Sequence, residues 1–379
     1  MPKGIKKLSD CTELKGKRVL ITGSIDVPLD GDFIKEDFRL SRIKPTVEYL
    51  KNKKAKIILI GHIGHDVPSS TAPIAEYFGL QYVDSLDPKI INEKVSALNN
   101  GEGMVLKNVR TDEREEKNDE SFARELASCA DIYVNEDFPT SHRNYVSTCG
   151  ITKFLPSYAG LEFVEELENL SGALAPAHPF VCIFGGAKAD TKIPLVHQFA
   201  DKADVLFVGG SLANTLFKVK GYETGVSLVD GDMNEAKKVL EYKNILLPVD
   251  SVVESAGKPI TKSPDNLDGQ DNMMDIGLDT VQKLGAEIAK AKCVLWNGPL
   301  GVYEKGYKEG TESVAKILAG SKAKTIIGGG DTITSIKKLG LLDKFTFVSI
   351  GGGAMIDYLV EGTLPAIEAL KSSTIILEK

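Results

Sequence analysis

"TIIGGGDTITSI", residues 325–336, carries an apolar run into three adjacent glycines, an acid and a hydroxyl, and then into a segment with helical spacing. A strand that turns into a helix needs a cap, and Asp331 or Thr332 is a residue type that serves as one. A cap accounts for one polar residue and leaves the glycines unexplained. Glycine lets bare backbone N–H groups approach an anion at a helix N-terminus. Asp331 then stands where a phosphate-bound Mg²⁺ takes an oxygen ligand. The same order of apolar run, glycines and helix recurs in "VCIFGGAKADTK" (181–192), "VLFVGGSLANTL" (205–216) and "FTFVSIGGGAMI" (345–356). Lys188 and Lys192 follow Gly185-Gly186 and add cationic side chains to one corner. Four such corners within residues 181–356 point to a site that handles phosphate.

The bulk composition narrows what surrounds that site. At 379 residues the chain is long enough for two cores and long for one ordinary domain. No apolar run reaches the length that spans a bilayer, so no membrane partner is expected. The N-terminal "MPKGIKKLSD" is basic with no apolar segment behind it, which predicts no signal peptide. The cysteines (11, 129, 149, 182 and 293) are odd in number and never form a Cys-x-x-Cys pair. That pattern predicts a reducing cytoplasm without disulfides or structural zinc. A net charge of −7 argues against a nucleic-acid partner, so any anion pocket is a local concentration of base.

Strand and helix patterns alternate through both halves. "KRVLITGSI" (17–25) ends a strand, "RLSRIKPTVEYLKNK" (39–53) has helical spacing, and "AKIILIGHIGH" (55–65) is the next strand and its loop. "GMVLKNVR" (103–110), the helical "SFARELASCA" (121–130) and "DIYVNEDF" (131–138) continue the series. The amphipathic "GLEFVEELENL" (160–170) and the turn-rich "APAHP" (175–179) precede a second series that starts at "FVCIFGG". This alternation predicts an α/β fold of two doubly wound, Rossmann-like parallel-sheet domains joined by a helix, with a cleft between them. The expected division is 1–159, a hinge helix at 160–175, and 176–363, with 364–379 packing back on the first domain. Ligands of such sheets gather beyond the carboxyl ends of the strands. There the second half offers glycines, Lys188, Lys192, Asn297, Glu304, Asp331 and Thr332, and the first half offers Arg39, His62, His65, Arg110, His142 and Arg143. One anion site in each half suggests a group passing between two phosphorylated ligands.

These residues bring the chain into line with a known family. It resembles phosphoglycerate kinase in "DVPLDG" (26–31), "EDFRLSRIKPTVEYL" (36–50), "GHIG" (61–64), "YVNEDFPTSHRNYVST" (133–148), "GGAKADTK" (185–192), "WNGPLGVYE" (296–304), "IIGGGDT" (326–332) and "SIGGGA" (349–354). The resemblance implies reversible phosphoryl transfer between 1,3-bisphosphoglycerate and MgADP, giving 3-phosphoglycerate and MgATP, by a cytoplasmic monomer. It implies a phosphoglycerate-binding N-terminal domain, a nucleotide-binding C-terminal domain and closure about the hinge. The substrate side carried over is Ser24, Asp26, Arg39, His62, His65, Arg110 and Arg143. The nucleotide side is Gly186, Lys188, Lys192, Gly209, Gly210, Asn297, Pro299, Glu304, Gly329, Gly330, Asp331 and Thr332. By the same resemblance Glu304 meets the ribose, Asp331 holds Mg²⁺, and Arg39, Lys188, Lys192, Gly329 and Gly352 serve the transfer itself.

The chain departs from that family at one strand end. The family's Arg-Val-Asp-Phe-Asn-Val-Pro reads Thr22-Gly23-Ser24-Ile25-Asp26-Val27-Pro28, and His65 stands where an arginine usually follows the histidine-glycine loop. Two arginines are absent, one aspartate is lost and one gained, so the pocket is two charges less positive. A second reading therefore stays open: a paralogue that binds MgATP and phosphorylates another small acid, or only binds nucleotide as a regulatory protein. A dinucleotide-dependent dehydrogenase ranks lower, because no G-x-G-x-x-G opens the first βα unit.

Overall fold

Short continuous apolar runs suit strands of a sheet covered on both faces, and the chain builds two such sheets. In the computed structural model, which describes residues 3–64 and 69–377, contacts divide the chain into two compact units. One holds the chain up to Glu168 and from Glu361 onward; the other holds Asn169–Val360.

The first unit starts with β1 (Arg18–Gly23), followed by a short antiparallel ribbon, β2 (Leu29–Asp30) and β3 (Phe33–Ile34). Then come β4 (Lys56–Ile60), β5 (Gln81–Val83), β6 (Gly103–Leu106), β7 (Ile132–Glu136) and β8 (Ser157–Ala159). The main sheet has the order β5-β6-β4-β1-β7-β8, and every neighbouring pair runs parallel. Its central strands are buried on both faces, so β1 is apolar or small and buried at every position after Arg18. The helices are α1 (Phe38–Asn52), α2 (Ala72–Phe78), α3 (Pro88–Ala97), α4 (Glu120–Ala127) and α5 (Leu161–Leu174), and the division between the units falls within α5, after Glu168. In α1, Leu40, Ile43, Val47 and Leu50 recur at helical spacing and are the buried face. The start of α3 is set locally: Asp87 accepts the Lys89 N–H, and Pro88 sits where no backbone donor is needed.

The second unit repeats the plan with β9 (Phe180–Phe184), β10 (Val205–Val208) and β11 (Ile245–Leu246) on one side. An antiparallel sheet, β12 (Ser251–Ser255), β13 (Lys258–Lys262) and β14 (Asn272–Ile276), interrupts it with the order β13-β12-β14. The strands β15 (Cys293–Asn297), β16 (Lys324–Gly328) and β17 (Phe347–Val348) complete the parallel sheet, β11-β10-β9-β15-β16-β17. The helices are α6 (Ala189–Phe199), α7 (Gly210–Val219), α8 (Met233–Val239), α9 (Leu278–Ile288), α10 (Glu309–Ala319), α11 (Gly330–Lys338) and α12 (Gly353–Glu361). The last helix, α13 (Pro365–Leu377), falls in the first unit. The antiparallel sheet was not foreseen from the alternation of strands and helices. Its strand β13 is exposed along most of its length and so lacks the apolar run that marks the buried strands.

Both parallel sheets reverse direction of growth once. In the first the reversal lies between β1 and β7, in the second between β9 and β15. At such a point the loops leave the two strands in opposite directions and open a crevice beyond their carboxyl ends. The position of each candidate site is thereby decided. Among the described residues, no helix is long and apolar enough to cross a membrane.

Candidate active site

The corner that opens α11 is not capped as the residue types suggested. Neither Asp331 nor Thr332 is the N-cap; Gly329, with φ of 97°, holds that place, and both fall inside the first turn. The three glycines have three different reasons. A side chain on Gly328 would collide with the Met355 thioether, and Gly329 has a left-handed φ that a side chain strains. Gly330 has neither constraint: its φ is ordinary and nothing lies within 4 Å of where its Cβ would be. The bare space lies over the first turn of a helix, where N–H groups are unpaired.

The crevice between β9 and β15 is built by close backbone approach. Gly185 N–H donates to the Asn297 carbonyl at 3.0 Å and Gly186 N–H to the Pro299 carbonyl at 2.8 Å. Gly210, at φ of 61°, brings α7 so near that a Cβ there would strike the Gly186 backbone. Beside these corners opens a cavity of about 440 Å³. Of the residues read from the sequence, Gly186, Gly210, Pro299, Glu304 and Asp331 line it. Its apolar wall includes Phe217, Leu228, Met274 and Leu300, a surface suited to a flat base.

Asn297 and Gly329 sit at the adjoining strand ends, and Lys192 and Thr332 in the first turns of α6 and α11, rather than in the cavity lining. The Lys192 ammonium donates to the Asn297 side-chain oxygen, and burial pushes the lysine down to about 8. Lys188 is exposed and precedes α6 as its N-cap. The Thr332 hydroxyl is fully buried and has no hydrogen-bond partner. Gly209 packs against Leu300, and neither it nor Gly330 nor Gly352 lines the cavity.

Sequence reasoning missed Asn214, Asn272 and Asp275, which also line the cavity. Burial pushes the Asp275 carboxyl up to about 6, against the backbone N–H groups of Gly310 and Ile276 that favour its ionised form. "NMMDIG" (272–277) is itself a strand, a glycine and then a helix, so the signal was present with a single glycine.

Beyond β1 and β7 of the first unit lies a smaller polar cavity of about 150 Å³. It gathers Ser24, Asp26, Arg39, His62 and Arg110 from four separate stretches, with Asp137 and Thr140, which the sequence reading did not single out. Arg39 Nη1 donates to the Asp26 carbonyl at 2.9 Å and lies 3.9 Å from its carboxylate. The Asp26 carboxylate accepts the Gly64 N–H at 3.0 Å, and Arg110 reaches Glu116 at 3.1 Å and the Gly64 carbonyl. Arg143 is exposed outside the lining, its Nε donating to His142 Nε2 at 3.1 Å. His65 lies outside the described residues. Thr22, in place of an arginine, is fully buried and donates to the Ser147 carbonyl at 2.8 Å.

His62 is buried with Nε2 at 2.9 Å from Glu115 Oε1 and Nδ1 at 3.8 Å from Asp137 Oδ2. Burial alone would lower its pKa, but the two carboxylates outweigh it and push the imidazole up to about 9.

Residues 8–362 match the family model described as phosphoglycerate kinase. The chain belongs to the phosphoglycerate kinase family. A phosphoglycerate kinase of Clostridium beijerinckii is 40% identical over 385 residues, covering 96% of this chain and 98% of that protein. The cytosolic phosphoglycerate kinase of Triticum aestivum is 39% identical over 94% and 96% of the two chains. The solved phosphoglycerate kinase of Coxiella burnetii superposes with a TM-score of 0.87 at 32% identity, covering 97% of this chain and 99% of that one. As a phosphoglycerate kinase the chain is a phosphotransferase of glycolysis, moving a phosphoryl group reversibly between 1,3-bisphosphoglycerate and ADP. The reading as a paralogue with another acceptor gains no support from these relatives.

Proposed function

We propose a division of labour in which the first unit takes the phosphoglycerate and the second takes Mg-nucleotide. The acceptor is clamped by Arg39, His62 and Arg110, with Arg143 at the rim and Ser24 and Asp26 setting its orientation. The nucleotide base lies on the apolar wall, Glu304 accepts from the ribose hydroxyls, and the phosphates reach the bare corner at Gly329–Gly330. Lys188 and Lys192 neutralise the phosphates. Phosphoryl transfer spreads charge over three equatorial oxygens, so the task of these groups is positioning and preorganised positive potential, not covalent chemistry. Arg39 serves the phosphoryl group in transit from the acceptor side, and Gly352 keeps the opening of α12 free of a Cβ.

The observation that carries this reading is Gly330, a glycine that nothing in the folded chain requires. An alanine would be the better helix former there, and the bare backbone makes sense as the seat of an anion.

Asp331 and Thr332 fit a magnesium ion that arrives with the nucleotide. Asp331 lines the cavity and is exposed, and the Thr332 hydroxyl beside it is an unpaired oxygen. No group of three or more His, Cys, Asp or Glu side chains among the described residues could hold a metal. Mg²⁺ bound through one or two protein oxygens takes the rest from phosphate and water, which is its usual habit. When bound there, the ion would supply neutralisation of phosphate charge.

The test is Asp331→Ala. It should raise KM for MgADP and move the Mg²⁺ requirement upward, with excess Mg²⁺ recovering part of the activity. An unchanged Mg²⁺ dependence removes Asp331 from the metal site. A cytoplasmic, monomeric state is the companion expectation, its monomeric part checked by light scattering of the purified protein.

A further inference from the structure

We propose that Glu115 is a positioning residue for the acceptor: it holds His62 as an imidazolium in the wall of the polar cavity of the first unit. The proposal rests on the reading that this cavity takes the phosphoglycerate.

The argument is one of donors and acceptors. Glu115 is fully buried, and His62 is its one cationic partner among the described residues. Its oxygens also accept from Ser147, from the N–H at 3.2 Å and from the hydroxyl at 2.6 Å. Every other group that meets this carboxylate among the described residues is a donor. His62 Nε2, 2.9 Å away, must therefore carry a proton. The other nitrogen decides the charge. Nδ1 is buried, has no hydrogen-bond partner, and looks toward the Asp137 carboxylate at 3.8 Å. In a neutral ring with Nε2–H, Nδ1 would be a bare lone pair pointed at an anion. In the imidazolium both nitrogens are donors. The two carboxylates facing the two ring nitrogens fit the charged ring, and, outweighing burial, they raise its pKa to about 9 in keeping with that.

The other groups around the ring neither supply nor replace this charge. Tyr145 packs its ring edge-on at 5.6 Å between centroids. Arg39 and Arg110 share the cavity lining with Asp26 and Asp137, so without His62 the lining carries equal numbers of cations and anions. With His62 charged it gains a net positive unit. Nδ1–H faces Asp137, so what an incoming carboxylate or phosphate meets is the charge of the ring at the cavity wall.

Two measurements test this. In the wild type, NMR of the His62 ring, assigned by its loss in His62→Gln, should show it protonated through pH 8. In Glu115→Gln, which keeps an acceptor for Nε2 and drops the charge, the midpoint should fall by at least about one unit toward the ordinary 6.5. An anion that prefers protonated His62 then loosens as pH rises. KM for 3-phosphoglycerate in Glu115→Gln should climb between pH 7 and 8.5, by up to about tenfold per unit above the new midpoint, where ligand phosphate is already ionised. Wild-type KM should stay flat from pH 7 to 8, KM for MgATP should stay flat in both, and kcat should change little. A wild-type midpoint near 6.5 overturns the role of Glu115, whether or not Glu115→Gln folds. A lowered midpoint in Glu115→Gln with parallel KM–pH curves upholds the charge device and overturns the assignment of the cavity to phosphoglycerate.

Discussion

Lys192 and Asn297, 105 positions apart in sequence, meet side chain to side chain where β9 and β15 diverge. The ammonium is buried with a neutral amide as its partner, which costs it part of its basicity and lowers it to about 8.

A phosphate brought to Lys192 should raise that pKa again. Near pH 8.5 ADP binding should therefore take up a proton, seen as a dependence of the calorimetric enthalpy on buffer ionisation. Lys192→Met should abolish the uptake and lower kcat by roughly 10²-fold, the scale of losing one preorganised charge. The stability sign is also fixed. The folded pKa lies below the unfolded value, so the unfolded chain binds more protons between about pH 8 and 10.4. Burial of this lysine should destabilise less as pH rises through that window, and the wild-type deficit against Lys192→Met should shrink.

Gly330→Ala separates fold from function. The site is open and φ is ordinary, so the variant should keep or gain stability, by about 0.4–1 kcal/mol. Turnover with MgATP should fall at least about tenfold as the methyl group enters the anion's place. Gly329→Ala, at φ of 97°, should lose stability as well. Thermal melts with steady-state kinetics on both variants distinguish the cases.

Thr332→Val should move the two properties in opposite directions. Its hydroxyl is buried without a partner, so replacing it with a methyl group should stabilise the chain by about 1 kcal/mol. If that oxygen waits for the metal-nucleotide, the affinity for MgADP should fall several-fold. A variant both more stable and equally tight would make the orphan a packing accident.

Asp26→Asn should tighten 3-phosphoglycerate binding. The amide oxygen can still accept the Gly64 N–H that now ends on the carboxylate, while the charge facing the anion is removed. KM for 3-phosphoglycerate should fall several-fold at every pH between 7 and 8.5, with KM for MgATP unmoved. A rise in KM would mean that the loose pairing with Arg39, at 3.9 Å, orients that guanidinium.

Much of the nucleotide side was legible along the chain because its chemistry is local. A strand, two or three glycines and a helix start are contiguous, and "GGAKADTK" places its lysines within one turn of that corner. Asn272 and Asp275 were missed because their strand belongs to an antiparallel sheet that the strand-helix alternation does not announce. Asp137 was missed for a different reason: a carboxylate after a strand reads as a surface charge until His62 is placed beside it.

The order of apolar runs and breaks by itself determined the α/β class and the four glycine corners, since strand burial and helix periodicity need only neighbouring residues. Tertiary structure decided which corners share a crevice. The sheet reverses its growth between β1 and β7 and again between β9 and β15, and only that reversal brings Asn297 to Lys192 or Asp137 to His62. Protonation was decided there too. An imidazole has no fixed charge in the sequence, and it is the carboxylates of Asp137 and of Glu115, the latter 53 positions away, that raise its pKa.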